Sequence, residues 1–237
     1  MTLVIPSPAT RTLAVAGRTQ RFPVNRVFCV GRNYAAHARE MGADPDREPP
    51  FFFMKPAQAV VDAQRPVCLP FPPRTQNLHH EVELVVAMGV GGADIPVHRA
   101  LDHVFGYAVG LDMTRRDLQN AAKAAGRPWE FGKSFAGSAP MGVVHPAADL
   151  GHPGRAAIGL EVDGVRKQHA DLADMIWGVA ECIAELSAHD ALEPGDLIMT
   201  GTPEGVGPVR PGQTLRAFIE GLGTVVLSYA SAEEQTA

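Results

Sequence analysis

Glu81 and Glu83 stand one residue apart in the run Leu78-His79-His80-Glu81-Val82-Glu83-Leu84-Val85-Val86, which reads as a strand. On a strand, positions i and i+2 share a face, roughly 6–7 Å apart along the chain. Two like charges on one face repel, and a hard divalent cation is the obvious group to offset that repulsion. A solvated sheet edge would carry the same pattern with no ion. A third acid, Asp112, ends the predicted strand Val104–Asp112 directly before a helix start, where an acid also suits the helix dipole. Three carboxylates with open positions for water and substrate are a typical catalytic magnesium or manganese arrangement. The neighbouring His79 and His80 would suit zinc, but no HExxH or CxxC spacing accompanies them.

Other residue pairs have spacings that allow chemistry. His37 and Glu40 lie three apart on a predicted short helix, Ala35–Met41, ended by Gly42. A glutamate beside a histidine raises its basicity and fixes its orientation, as a general base requires, although a surface pair has the same spacing. Arg116 and Gln119 share the first turn of the helix after Asp112, where an arginine can clamp a carboxylate or simply face solvent. Lys133, between Gly132 and Ser134, is a possible anion or oxyanion partner. The glycines of Thr200-Gly201-Thr202-Pro203-Glu204-Gly205-Val206-Gly207 would let backbone amides approach an anion. No Gly-Lys-Ser/Thr follows, so this is no Walker loop, and a plain tight turn fits too.

These residues need elements to position them. Val27–Val30, Phe51–Met54 and Leu197–Thr200 read as strands, and two more close the chain around Glu220-Gly221-Leu222-Gly223. Thr114-Arg115-Arg116-Asp117 matches a capping box that opens a helix running to Gly126. Phe131–Phe135 reads as extended, Glu161–Arg166 as a hairpin turning at Asp163-Gly164, and Leu172–His189 as the main amphipathic helix. Residues 1–22 read as a short leader with a hairpin at Ala16-Gly17, 23–230 as one catalytic domain, and 231–237 as a polar tail. With 24 glycines and 20 prolines cutting the chain into short segments, and no sustained βαβ alternation, the expected class is mixed, β-rich α+β.

The 237 residues are 46% hydrophobic, enough for a sizeable core. Net charge is −5 and the arginines are scattered, so no nucleic-acid footprint is present. No apolar run spans a bilayer and no signal peptide is apparent. Cys29, Cys68 and Cys182 are widely spaced and odd in number, which suits reduced packing thiols in a cytoplasmic protein. Met113, Met175 and Phe51 to Phe53 read as core.

Taken in order, Val30-Gly31-Arg32-Asn33-Tyr34 with His37 and Glu40, Phe53-Met54-Lys55-Pro56, His80-Glu81-Val82-Glu83-Leu84, Leu111-Asp112-Met113-Thr114 with Arg116 and Gln119, Gly132-Lys133-Ser134 and Thr200-Gly201-Thr202-Pro203 resemble the fumarylacetoacetate hydrolase family. The resemblance implies a β-roll with a few flanking helices, usually in a homodimer, around a Mg2+ or Mn2+ ion held by Glu81, Glu83 and Asp112. It makes His37, assisted by Glu40 on a lid segment, the general base. Lys133, Arg116 and Gln119 would bind substrate or developing charge, and Thr202 a substrate carboxylate. The stretches Cys29–Met41 and Pro49–Pro56 look like bacterial fumarylpyruvate enzymes. That implies hydrolysis of an acylpyruvate such as fumarylpyruvate, in gentisate-type aromatic breakdown, with Arg115 or Arg32 meeting the far carboxylate. Oxaloacetate decarboxylase or a related dioxo-acid decarboxylase/isomerase is the alternative, and a non-catalytic metal-stabilised scaffold the third reading. Ala136 departs from the family pattern, because many relatives carry an aspartate there.

Overall fold

All seven residues of the strand Val82–Met88 are buried. A run this apolar needs cover on both faces, and it has it. The strand pairs antiparallel with Val104–Leu111 on one side and Leu197–Met199 on the other, in the middle of an eight-stranded sheet. Beyond Leu197–Met199 come Val27–Gly31, joined in parallel, and then Phe51–Lys55 at the edge. The other edge is made by Ala139–Met141 and Val60–Asp62. The computed structural model describes residues 3–40 and 49–230.

Alternation along the central strand divides the core in two. Leu84, Val86 and Met88 face a five-stranded sheet that contributes Ile158, Leu160, Leu215, Ala217, Val225 and Leu227. Val85 and Ala87 face the other way, onto Leu13, Val15, Phe22 and Val24 from the N-terminal segment. The five-stranded sheet holds two of the three expected hairpins; the first, Thr12–Leu13 with Phe22–Pro23, forms a two-stranded sheet of its own. Asp163 and Gly164 both have positive φ (49° and 77°), as a two-residue type I′ turn requires, and Thr214–Ile219 pairs with Gly223–Tyr229. The helices are few and short, Val179–His189 being the longest. Among the described residues none is long and apolar enough to cross a membrane. The β-rich mixed class expected from the punctuation is the class observed.

Several boundaries differ from expectation, each for a visible reason. The run around Glu81 is two strands. Leu78–His80 pairs with Gly207–Val209 and Thr114–Arg115 in a small sheet, and the chain changes sheets at Glu81. The capping box does not form, because the Thr114 hydroxyl donates to the Asp112 carbonyl and Asp117 serves the Thr75 hydroxyl and the Gln76 and Leu118 amides. Glu130–Lys133 is a helical turn in place of an extended segment, its Gly132 and Lys133 amides donating to the Trp129 carbonyl. The main helix begins at Val179; Leu172–Asp174 is a separate turn capped by Asp171. Cys68 is exposed, so it is not a packing residue. Met41, the Gly42 stop and the 231–237 tail lie outside the described residues.

Asn33 explains the late start of that helix. Its fully buried side chain donates to the Trp177 and Thr200 carbonyls at 2.9 and 2.8 Å and accepts from the Trp177 amide at 2.7 Å. It therefore draws the segment before Val179 and the end of the Leu197–Met199 strand onto the turn that carries Arg32. Asn33→Ala removes three hydrogen bonds to backbone groups and should cost about 2–4 kcal/mol. Urea unfolding would show a lower midpoint with an unchanged slope; an unmoved midpoint would contradict this clip.

Candidate metal centre

The change of sheets at Glu81 turns its side chain, with that of Glu83, into the closed end of a cleft. Asp112 arrives beside them because its amide donates to the Glu81 carbonyl at 2.8 Å, the last rung between the two central strands. Gly110 lies opposite Glu83; a Cβ there would sit 2.5 Å from a Val85 methyl, so only glycine fits this crowded position. One carboxylate oxygen of each acid lies within 4.8 Å of the others, and all three side chains are buried.

Three cations share this end. Lys133 Nζ lies 2.7 Å from Glu81 and 2.6 Å from Asp112, and Arg116 donates to the other Glu81 oxygen. Lys55 Nζ is 2.8 Å from Asp112 Oδ1, an ion pair without hydrogen-bond alignment, so that oxygen keeps its lone pairs available. Burial pushes the Glu81 carboxyl up, but Lys133, Arg116 and His37 more than offset this and hold it well below the usual range. Burial also opposes charge on Lys133, yet Asp112 and Glu81 keep its pKa raised. Glu83 differs. It takes a 2.8 Å hydrogen bond from the Gly201 amide, while burial and repulsion from Asp112 and Glu81 push its pKa well above the ordinary carboxylate value. Three converging carboxylates, one of them without a contacting cation, are a hard-oxygen donor set that fits Mg2+ or Mn2+.

The histidine alternative does not hold. His79 is tied to Asn77 at 2.9 Å, and burial with the nearby Arg116 lowers its pKa to about 4. His80 pairs with Gln168 at 3.0 Å. Neither belongs to the carboxylate cluster.

The cleft encloses about 540 Å3, its open mouth included, and is lined by His37, Arg32, Arg116, Gln119, Lys133 and Thr202 among others. His37 Nδ1 lies 3.2 Å from Glu40, which makes Nε2 the basic nitrogen. Both Glu40 oxygens also accept from the Gly205 amide at 3.2 Å, so the helix bearing His37 is fastened to the glycine loop. That loop does bring amides to anions, and the anions are the protein's own Glu83 and Glu40. Thr202 spends its hydroxyl proton on the Val82 carbonyl at 2.8 Å and accepts from the Gln168 amide at 2.9 Å, so its hydroxyl is committed within the protein.

Two expectations change here. Arg115 does not line the cleft: its guanidinium stacks 4.3 Å over Phe135 and points to the Phe131 carbonyl. Phe51 lines it instead of the core, and Phe53, packed against the core as expected, lines it too, together with Trp129. Ala136 is exposed and lies outside the lining.

Sequence reasoning also passed over Lys55, Gln168, Asn120 and Lys123. Lys55 carries a signal, a lone cation closing an apolar strand. Gln168 carries none, because it sits in the polar strand Val165–Asp171. Fully buried, it accepts from the Val82 amide and donates to the Thr202 hydroxyl and the Pro203 carbonyl, binding the metal-facing strand to the glycine loop.

A family model described as fumarylacetoacetate hydrolase, C-terminal, matches residues 26–228. The chain belongs to the fumarylacetoacetate hydrolase family. Within it, a solved structure of the fumarylpyruvate hydrolase of Pseudomonas aeruginosa, in complex with Mn2+ and pyruvate, is 53% identical. The superposition covers 97% of this chain and 100% of that one, with a TM-score of 0.95. A mitochondrial oxaloacetate tautomerase of Oryza sativa subsp. japonica is 41% identical over 89% of this chain and 93% of its own length. A mitochondrial oxaloacetate decarboxylase of Dictyostelium discoideum is 40% identical over 84% and 90%. The β-roll expected from the motifs is thus the family fold, and the family members named here are enzymes.

Chelator-stripped protein given Mn2+ at about 100 times its Kd should gain about 2.7 kcal/mol of stability, read as a rise in Tm. Glu83→Gln should abolish that rise. An equal rise in the variant would remove Glu83 from the ligand set.

Proposed function

We propose that this chain is a divalent-metal-dependent hydrolase of acylpyruvates that cleaves fumarylpyruvate to fumarate and pyruvate. The observation that carries the reading is the 53% identity, over 97% of this chain and 100% of the other, to a fumarylpyruvate hydrolase, against 40–43% to the oxaloacetate enzymes. The His37–Glu40 pair at the cleft supports hydrolysis in particular, because water must be deprotonated there. The reading includes a homodimer, which the exposed apolar side chains of Met54 and Phe131 favour, and a reducing cytoplasm, which the three free thiols favour.

Glu81, Glu83 and Asp112 would hold Mg2+ or Mn2+, which when bound would supply Lewis acidity at the 2-oxo acid end of the substrate. His37 takes a proton from water through Nε2, and Glu40 steadies the imidazolium. The water oxygen bonds to the carbonyl carbon of the acyl group. The bond between that carbon and the methylene of pyruvate breaks, and its electron pair leaves as the pyruvate enolate. The proton then returns to the methylene carbon. Lys133 faces the negative charge that develops, and Arg116 and Gln119 orient the carboxylate end.

A second reading, oxaloacetate decarboxylation or tautomerisation, is favoured by the identities to the plant and Dictyostelium enzymes. It uses the same closed end without the water. Metal-restored protein should release equal fumarate and pyruvate from fumarylpyruvate; pyruvate from oxaloacetate with fumarylpyruvate untouched would favour the second reading. His37→Ala should lower hydrolysis by about 10²–10⁴-fold while sparing much of any decarboxylation. Equal loss of both activities would overturn this assignment of the base.

A further inference from the structure

The charge lining the cleft is divided by depth. At the closed end every acid is present, and Lys133 and Arg116 are engaged with them. Arg32 and Lys123 also line the cleft, and among the described residues no other acidic side chain does. Lys123 lies on the helix Arg116–Ala124, where Arg116, Gln119, Asn120 and Lys123 follow the i, i+3, i+4, i+7 spacing of a single face. That face leads from the metal centre outward, from buried Arg116 and Gln119 to exposed Asn120 and Lys123. Among the described residues the Lys123 side chain makes no ion pair or hydrogen bond, and the Arg32 side chain makes only a stacking contact, 5.5 Å over Phe51. Aromatic rings fill the wall between the two ends. Phe51 and Trp129 meet edge to face at 5.5 Å, and Phe53 lies 6.0 Å from Trp129.

We propose that Lys123, with Arg32, is the specificity-determining receptor for a second carboxylate at the far end of the substrate. The inference rests on the proposed reading that a 2-oxo acid end occupies the metal centre. An anion at the outer end would meet two cations that no acid among the described residues neutralises. A flat, unsaturated chain suits the aromatic wall that joins the ends. An extended dicarboxylate therefore engages both ends, whereas a short one such as oxaloacetate fills only the closed end and gains nothing from the pair. Arg115, stacked on Phe135 away from the cleft, has no part in this recognition.

The test uses the full-length, Mn2+-loaded protein and two comparisons. The first is the ratio of kcat/KM for fumarylpyruvate to that for acetylpyruvate, which lacks the far carboxylate. Lys123 is exposed, so its contribution is screened, and Lys123→Gln should lower the ratio about 5- to 20-fold, mainly through KM. Lys123→Arg should restore it. An unchanged ratio, or equal losses on both substrates, would overturn the assignment. The second comparison is independent of turnover: calorimetric binding of 2-oxoheptanedioate against 2-oxoheptanoate. The wild type should prefer the diacid, and Lys123→Gln should lose that preference. A wild type that prefers the diacid but leaves fumarylpyruvate intact would uphold the receptor and overturn the hydrolase reading. A wild type with no preference would overturn the receptor, whatever it hydrolyses.

Discussion

Six charged side chains share the closed end of one cleft, and their mutual compensation is the constraint on which the rest of the structure depends. Glu81, Glu83 and Asp112 stand against Lys55, Lys133 and Arg116 with almost no water to screen them. Desolvating a single ion costs several kcal/mol, and removing one partner from a buried pair costs about 3–5 kcal/mol because the other is left stranded. The arrangement therefore holds only if every partner is kept within hydrogen-bonding distance by a frame that does not yield. The frame is the strand Val82–Met88, packed on both faces and bonded along both edges. Within this balance Glu83 is the one carboxylate served by a backbone amide and not by a cation, so it has the most to gain from a divalent ion.

The compensating groups come from distant parts of the chain, and two buried amide side chains keep those parts in register. Asn33 ties the turn before the His37 helix to the end of the Leu197–Met199 strand. Gln168 reaches in from the five-stranded sheet to bind the metal-facing strand to the glycine loop. The loop can approach because it has no side chains at two tight points. A Cβ at Gly201 would lie 2.7 Å from Asn33, and one at Gly205 2.0 Å from the Lys167 carbonyl. Both glycines have positive φ, so the close approach and the backbone conformation each require the same residue. The amides freed by this geometry bind Glu83 and Glu40, which couples the metal end of the site to the base.

Much of this was legible in the sequence because the relevant chemistry is local. The Glu81–Glu83 spacing, the Asp163-Gly164 turn and the His37–Glu40 pair are each fixed by residues within a few positions, and short-range rules suffice for them. What escaped depends on contacts across the fold. The break at Glu81 arises because residues on either side of it pair with different sheets. The shortened main helix arises from Asn33, far away in sequence. Lys55 and Gln168 are functional through what they touch. Thr114 and Asp117 had the right types for a capping box, but Thr75 and the Asp112 carbonyl competed for them and won. Arg115 and Arg116 are neighbours of one type, yet only the second enters the cleft, because at Arg115 the stacking surface of Phe135 captures the guanidinium.

The family's chemistry divides along the same line as the charge. A carboxylate triad with lysine and arginine beside it can receive the 2-oxo acid end of any of the substrates that the relatives' names suggest, so the closed end alone does not separate a hydrolase from a tautomerase or a decarboxylase. Separation has to come from groups that meet the rest of the substrate or the water. The base is one such group. On the proposed reading this is His37, and its position depends on Glu40 holding two partners at once, the imidazole and the Gly205 amide, so the loop that shapes the site would also govern the proton transfer. The outer wall is the other. Its aromatic rings, with two cations that no described acid pairs, would on the proposed reading be indifferent to a short oxo acid and complementary to a long, flat dianion. On the proposed reading, selectivity on this chain is thus a matter of reach: the inner end would recognise what all the substrates share, and the outer end would respond only to those long enough to arrive there.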